Sequence, residues 1–272
     1  MGIRPVEIRA LSDAVLDLLF PPRCPFCGRL SKGVCPECGA ALPWTGEEDG
    51  VREIGAINRG IPEDGEPALC VMKTGVPEGG GRKSADRRAA NMRTSSVQGV
   101  SLLCAGALRY EGLAREGLLR MKFRDRPAAA ETMGQLAAQC AAERFGGQFD
   151  TVTWVPVSVP RRRKRGYDQA ELLARAACRL WDTAPVRLLD KVRDNPAQSG
   201  IADAEERSQN VSGAYRLHGS AAGRKVLLID DICTTGATLR ECAAVLYEGG
   251  AAAVLCAAVA LAGHSDTEGA KG

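Results

Sequence analysis

Aromatic residues are scarce in this sequence, at 4% of 272 residues. A core built on stacked rings is therefore excluded, and Ala, Val, Leu and Ile must fill the interior, which suits strands and helices packed in α/β layers. Long apolar runs are missing too. The longest, Ala251 to Ala262, falls short of the roughly 20 residues that a bilayer-crossing helix needs, so no membrane span is expected. Arg4, Glu7, Arg9, Asp13 and Asp17 interrupt any export signal at the start, which predicts a cytoplasmic protein. A strong charge excess is also absent. The formal net charge is +3 and the pI about 8.3, too mild to argue nucleic-acid binding from the chain as a whole.

What is present is a globular composition, 45% hydrophobic and 25% charged, in a chain long enough for one main domain and a smaller one. Cysteine is plentiful, with 11 residues, and a cytoplasmic setting argues against disulfides. Cys70, Cys104, Cys140, Cys178, Cys233, Cys242 and Cys256 are scattered among apolar neighbours and read as small buried hydrophobes. The other four form a repeat, Cys24-Pro-Phe-Cys27-Gly28 and Cys35-Pro-Glu-Cys38-Gly39. Two such hairpins can set four thiolates tetrahedrally around one structural Zn2+. The glycine after each pair suits a positive φ that turns backbone N–H groups toward sulfur. Two chance cysteine pairs or a redox dithiol are the competing readings.

Along the chain, Leu11, Ala14, Val15, Leu18 and Leu19 fall on one face of a short helix, so residues 1–44 read as an N-terminal helix and zinc ribbon. Residues 45–100 are rich in Gly, Pro and charge with no lasting apolar period, and read as a flexible insertion or linker. From 101 to 272 order returns. Strands are expected at Ala105–Tyr110, Thr151–Val155, Val186–Leu189, Val226–Ile229 and Ala252–Leu261. Helices are expected at Leu113–Met121, Ala128–Arg144, Gln169–Leu180 and Ala237–Tyr247. Val226-Leu-Leu-Ile229 is apolar throughout, as for a strand covered on both faces of a parallel sheet.

The chemistry concentrates after that strand. Asp230 and Asp231 stand at its carboxyl end, where ligands bind in open α/β sheets. Thr234, Thr235, Gly236, Ala237 and Thr238 then turn into a helix, and the turn's N–H groups and hydroxyls make an anion cradle. Paired carboxylates would repel a lone phosphate, but they suit ribose hydroxyls whose 5′-phosphate sits in the turn. A well-capped turn with an acidic edge is the plainer alternative. Upstream, five consecutive cations from Arg161 to Arg165 follow a strand in a loop that could receive pyrophosphate or a nucleic-acid backbone, or simply face solvent. Lys122 and the pair Lys191 and Arg193 supply further spaced cations.

Residues 226–238 resemble the 5-phosphoribosyl-1-pyrophosphate (PRPP) signature of type I phosphoribosyltransferases. With the cysteine block, the chain resembles more narrowly the ComF family of competence proteins, over residues 20–44 and about 105–262. The resemblance implies a type I phosphoribosyltransferase-like parallel sheet flanked by helices, with a small N-terminal zinc ribbon. It implies that Asp230 and Asp231 contact the ribose 2′- and 3′-hydroxyls and that Thr234 to Thr238 hold the 5′-phosphate. Lys122, Arg161, Arg165 and Arg193 would face pyrophosphate, and Mg2+ would accompany PRPP. Where the family has Arg-Gly-Phe-Asn-Gln, this chain has Arg165-Gly166-Tyr167-Asp168-Gln169, which replaces an amide by a charge. Gln198, Arg207 and Asn210-Val211 match the family's mobile loop.

Two functions follow from the resemblance, both tied to DNA uptake and natural competence. One is a Mg2+-dependent phosphoribosyltransferase of unknown acceptor. The other is a non-catalytic component that binds single-stranded DNA or other competence proteins. After the last strand only a polar tail remains, without the hood that grips a base in base-specific transferases.

Overall fold

A computed structural model describes residues 21–58, 99–123, 128–193 and 213–263. The expected N-terminal helix and the positions Gln198, Arg207, Asn210 and Val211 lie outside these residues. Among the described residues, the main sheet has five strands in the order β1-β2-β7-β6-β3. These are β1 (Val51–Asn58), β2 (Gly99–Arg109), β3 (Thr151–Trp154), β6 (Lys225–Cys233) and β7 (Ala253–Leu261). A two-stranded antiparallel ribbon, β4 (Leu189–Lys191) with β5 (Tyr215–Leu217), stands apart.

The four strands β2, β7, β6 and β3 run parallel. Side chains alternate between the two faces of a strand, and β6 shows the consequence. Leu227 and Ile229 enter one core while Val226 and Leu228 enter the other. Helices α3 (Ala128–Phe145) and α5 (Gln169–Arg179) supply Met133, Ala137, Ala141, Leu173 and Ala177 to the first core. Helix α6 (Ala237–Glu248) covers the second face with Leu239, Cys242, Ala243 and Leu246. Two further helices, α1 (Pro36–Ala41) and α2 (Gly112–Phe123), add Cys38, Ala114, Leu118 and Met121 to the first core.

Two expectations need correction. Residues 51–58, placed in the linker by composition, form β1, which pairs antiparallel with β2 from Val51↔Ala105 to Asn58↔Gly99. The sheet is therefore mixed at this edge. Ile54 and Ile57 bury there although charged Arg52 and Glu53 interrupt the apolar pattern. The basic run is likewise not a loop. Val159–Arg165 forms helix α4, capped by the Ser158 hydroxyl, which accepts from Arg161 N, and stopped by Gly166 at φ 79. Caps rather than an apolar face stabilise so short a helix.

Candidate functional site

Strand β6 runs four residues beyond the apolar stretch, so Asp230 and Asp231 lie within the strand rather than after it. They stand at the mouth of a cleft of about 340 Å³. Lys122, Arg161, Arg165, Lys191, Tyr215 and Thr238 also line it, together with Gln169 and the Val155–Val157 backbone segment. The helical turn explains the selection of cations. Arg161 and Arg165 are four apart and share the face toward the cleft, whereas Arg162, Arg163 and Lys164 are exposed outward.

Lys122 Nζ lies 2.9 Å from Asp231 Oδ2. Burial works against its charge, but the carboxylates of Asp231 and Asp230 hold its pKa above the ordinary lysine value. Burial, and then the charge of Asp231, push the Asp230 carboxyl well above the usual range. Its Oδ1 accepts from Asp231 N at 2.8 Å. A carboxyl with a raised folded pKa contributes stability below its unfolded pKa, and that contribution is lost as pH rises through the folded value. At neutral pH a charge on Asp230 is thus a cost to the fold. Asp230→Asn keeps the Oδ1 acceptor and removes the charge. It should raise Tm by roughly 2–4 °C, the effect of about 1 kcal/mol in a domain of this size. A thermal melt at pH 7 checks this, and an unchanged or lower Tm would mean that the carboxylate is well accommodated.

Beside the acidic pair, Thr234 to Thr238 wrap a smaller hollow of about 40 Å³. Gly236, at φ 73, is the N-cap of α6, and the Thr235 hydroxyl accepts from Ala237 N at 3.4 Å. Edge strand β1 props this turn. Arg240 Nη1 donates to Ile54 O at 2.6 Å and to Thr235 O at 2.9 Å, and Arg52 Nη1 donates to Thr234 O at 3.3 Å. The Thr234 and Thr235 carbonyls of the turn are thereby tied to arginine side chains.

Arg193 is exposed and is not among the cleft-lining residues, its N–H donating to Ala214 O at 3.4 Å. Asp168, the residue that departs from the family pattern, is buried. It caps α5, accepting from Glu171 N at 3.3 Å and Val157 N at 3.0 Å. Asn caps a helix about as well as Asp, so the change preserves a structural role. Tyr215, with Lys191 Nζ 5.2 Å from its ring centre, is a cleft residue that sequence reasoning missed. Arg52 and Arg240 were missed as well. An isolated tyrosine or arginine carries no spacing signal, and only the fold brings them to the site.

The four repeat cysteines place their sulfurs within 4.8 Å of one another, with Cys27 Sγ 3.6 Å from Cys35 Sγ. A Zn–S bond of about 2.3 Å gives a tetrahedral edge of about 3.8 Å, so the set fits zinc. Burial opposes the Cys24 thiolate, yet the N–H groups of Cys35, Cys27 and Phe26 bring its pKa down to about 6. Gly28 takes the expected positive φ of 81, but Gly39 sits inside α1, whose start replaces the second turn. The ribbon is docked on the main unit. Phe26 is fully buried against Gly117 and Met133, and Arg120 Nη1 donates to Phe26 O.

Among the described residues, no helix is long and apolar enough to cross a membrane. Comparison with known proteins gives matches to a phosphoribosyl transferase domain over residues 123–271 and to a double zinc ribbon domain over residues 15–49. The DNA utilization protein YhgH of Escherichia coli K12 is 34% identical over 109 residues, 39% of this chain and 46% of that protein. Competence protein F of Haemophilus influenzae Rd is 35% identical over 100 residues, 35% and 43% of the two chains. Competence protein ComFC of Bacillus subtilis 168 is 28% identical over 144 residues, 53% and 58%. The chain thus spans about half the length of these relatives, and the resemblance to ComF proteins seen in its motifs is matched by their names. With the family match covering residues 123–271, more than half of its length, and a mostly parallel sheet, the chain belongs to the phosphoribosyl transferase domain family.

Proposed function

We propose that the cleft binds PRPP or a related ribose phosphate with Mg2+, and that the protein serves DNA uptake in the cytoplasm. The observation that carries the first part is convergence. Asp230, Asp231 and the cations Lys122, Arg161, Arg165 and Lys191 line one cleft, the turn at Thr234–Thr238 lines the adjoining hollow, and Asp230 and Thr238 border both. In this reading the acidic pair accepts hydrogen bonds from ribose hydroxyls, and the turn receives the 5′-phosphate. Arg161, Arg165 and Lys191 face the pyrophosphate side. The role in DNA uptake rests on the names of the competence and DNA-utilization relatives.

If the cleft is catalytic, displacement at ribose C1 would break the bond to pyrophosphate through an oxocarbenium-like transition state. The three cations would then stabilise the leaving group as its charge develops. Mg2+, when bound with PRPP, would supply positive charge that offsets the negative charge of the leaving pyrophosphate. Calorimetric titration with PRPP, with and without Mg2+, tests the reading beside the Asp230→Asn/Asp231→Asn double variant. Mg2+-dependent binding that is lost in the variant is expected. Absence of binding to zinc-loaded, folded protein would remove the phosphoribosyl reading.

A second reading is favoured by the exposed cations of α4, Arg163 and Lys164, beside Arg162, whose Nη2 lies 3.2 Å from Glu171 Oε2. Those cations suit single-stranded DNA or an acidic competence partner. Binding of an oligonucleotide there should weaken steeply with salt, and PRPP binding should follow Mg2+ instead.

A further inference from the structure

The last carbonyls of a helix have no partner within it. In α2 two of them, at Met121 and Lys122, are met by side chains from the turn between α4 and α5. The Tyr167 hydroxyl donates to Met121 O at 2.8 Å, and Gln169 Nε2 donates, at a longer 3.5 Å, to Lys122 O. Gln169 is itself buried. Arg165 Nη1 donates to its Oε1 at 2.7 Å, which turns the amide's nitrogen toward α2. Gly166, at φ 79, and the Asp168 cap fix the path of the chain between these residues. On the far side of the same helical turn, the Lys122 ammonium meets Asp231 at 2.9 Å.

We propose that Tyr167 and Gln169 are positioning residues that act through Lys122. They clamp the end of α2 so that its ammonium stands against Asp231, and Arg165 couples the clamp to the pyrophosphate side of the cleft. A family-based expectation would make this segment an anion-contacting loop. The geometry gives it a different task, because Tyr167 and Gln169 spend their donors on backbone carbonyls of α2. The two ends of the ligand site are thereby joined through one chain of hydrogen bonds: Arg165 to Gln169, Gln169 to the Lys122 carbonyl, and Lys122 to Asp231. The proposal rests on the ribose-phosphate reading only for its consequence in binding. The clamp itself exists in the ligand-free protein.

The test has a ligand-free arm and a ligand arm. In the first, lysines of the zinc-loaded protein are reductively methylated with 13C, the Lys122 signal is assigned with Lys122→Met, and its titration is followed by NMR. Tyr167→Phe removes one oxygen and keeps the ring. It should lower the Lys122 pKa as the ammonium leaves Asp231, with Tm controlled by a melt. Arg165→Met, which releases Gln169 without touching a buried ring, serves as the second variant and should shift it the same way. In the second arm, Tyr167→Phe should weaken PRPP binding roughly 3–10-fold and Lys122→Met on the order of 10–100-fold, the ranges of a neutral and a charged hydrogen bond. In the Lys122→Met background, Tyr167→Phe should cost nothing more.

An unmoved Lys122 titration in both variants overturns the proposal. So does an equal loss from Tyr167→Phe in both backgrounds, the mark of direct contact or of a general structural role. If the wild type does not bind PRPP, the ribose-phosphate reading falls, while the titration still decides the clamp.

Discussion

Chelating the zinc should bring down the phosphoribosyl transferase unit along with the ribbon. Cys24, Phe26, Cys35 and Cys38 belong to the same hydrophobic cluster as Leu118, Met121, Met133 and Val259. A Cβ at Gly117 would lie 2.6 Å from the Phe26 ring, so helix α2 and the first cysteine turn are packed without slack. Binding of structural zinc supplies on the order of 10 kcal/mol of folding free energy. Losing even about half of that lowers Tm by roughly 10–20 °C, at about 2–4 °C per kcal/mol. Differential scanning calorimetry should show one transition that moves down as a whole when chelator is added, with metal content measured in parallel. Two transitions with the upper one unmoved would mean that the ribbon folds as a separate module. Because α2 also carries Lys122, partial loss of zinc should be felt at the ligand cleft before the fold is lost.

Gly236→Ala should be nearly as damaging, for two independent reasons. Its φ of 73 lies in the left-handed region, which costs a residue with a side chain roughly 1–2 kcal/mol. The new Cβ would also stand 2.6 Å from Ile54 Cβ and 3.0 Å from its Cγ2. Those atoms sit at the root of a buried side chain and cannot swing aside, so strand β1 must retreat, and overpacking of this kind costs roughly 1–3 kcal/mol. The retreat would pull on the Arg240 bonds to Ile54 O and Thr235 O and open the Thr234–Thr238 turn. Melts of Gly236→Ala, Ile54→Ala and the double variant separate the two terms. The double variant should recover the steric part and leave the backbone part, a non-additivity that residues in contact show. Simple additivity would place the damage entirely in the backbone conformation.

The sequence made some of this legible and hid the rest, for physical reasons. Strand β6, helix α6 and strand β7 could be read because a buried parallel strand, a glycine-bearing turn and an Ala-rich helix each leave a local pattern. The four cysteines could be read because metal ligation demands fixed spacing. Strand β1 was hidden because it is an edge: Arg52, Glu53 and Gly55 interrupt its apolar alternation, and the pairing shifts register between Glu53 and Ala56. Helix α4 was hidden because five adjacent cations present no apolar face. The Lys122–Asp231 pair joins residues far apart in sequence. The clamp of Tyr167 and Gln169 ends on main-chain carbonyls, which every residue possesses and no motif records.

The pairing of Asn58 with Gly99 has a consequence for how the protein tolerates change. The strand ends that flank residues 59–98 are neighbours on one antiparallel ladder. The entropy of closing a connection between them grows only with the logarithm of its length, about 2 kcal/mol for a tenfold extension. Changes of length between those strand ends are therefore expected to cost little stability while β1 keeps its hold on the Thr234–Thr238 turn.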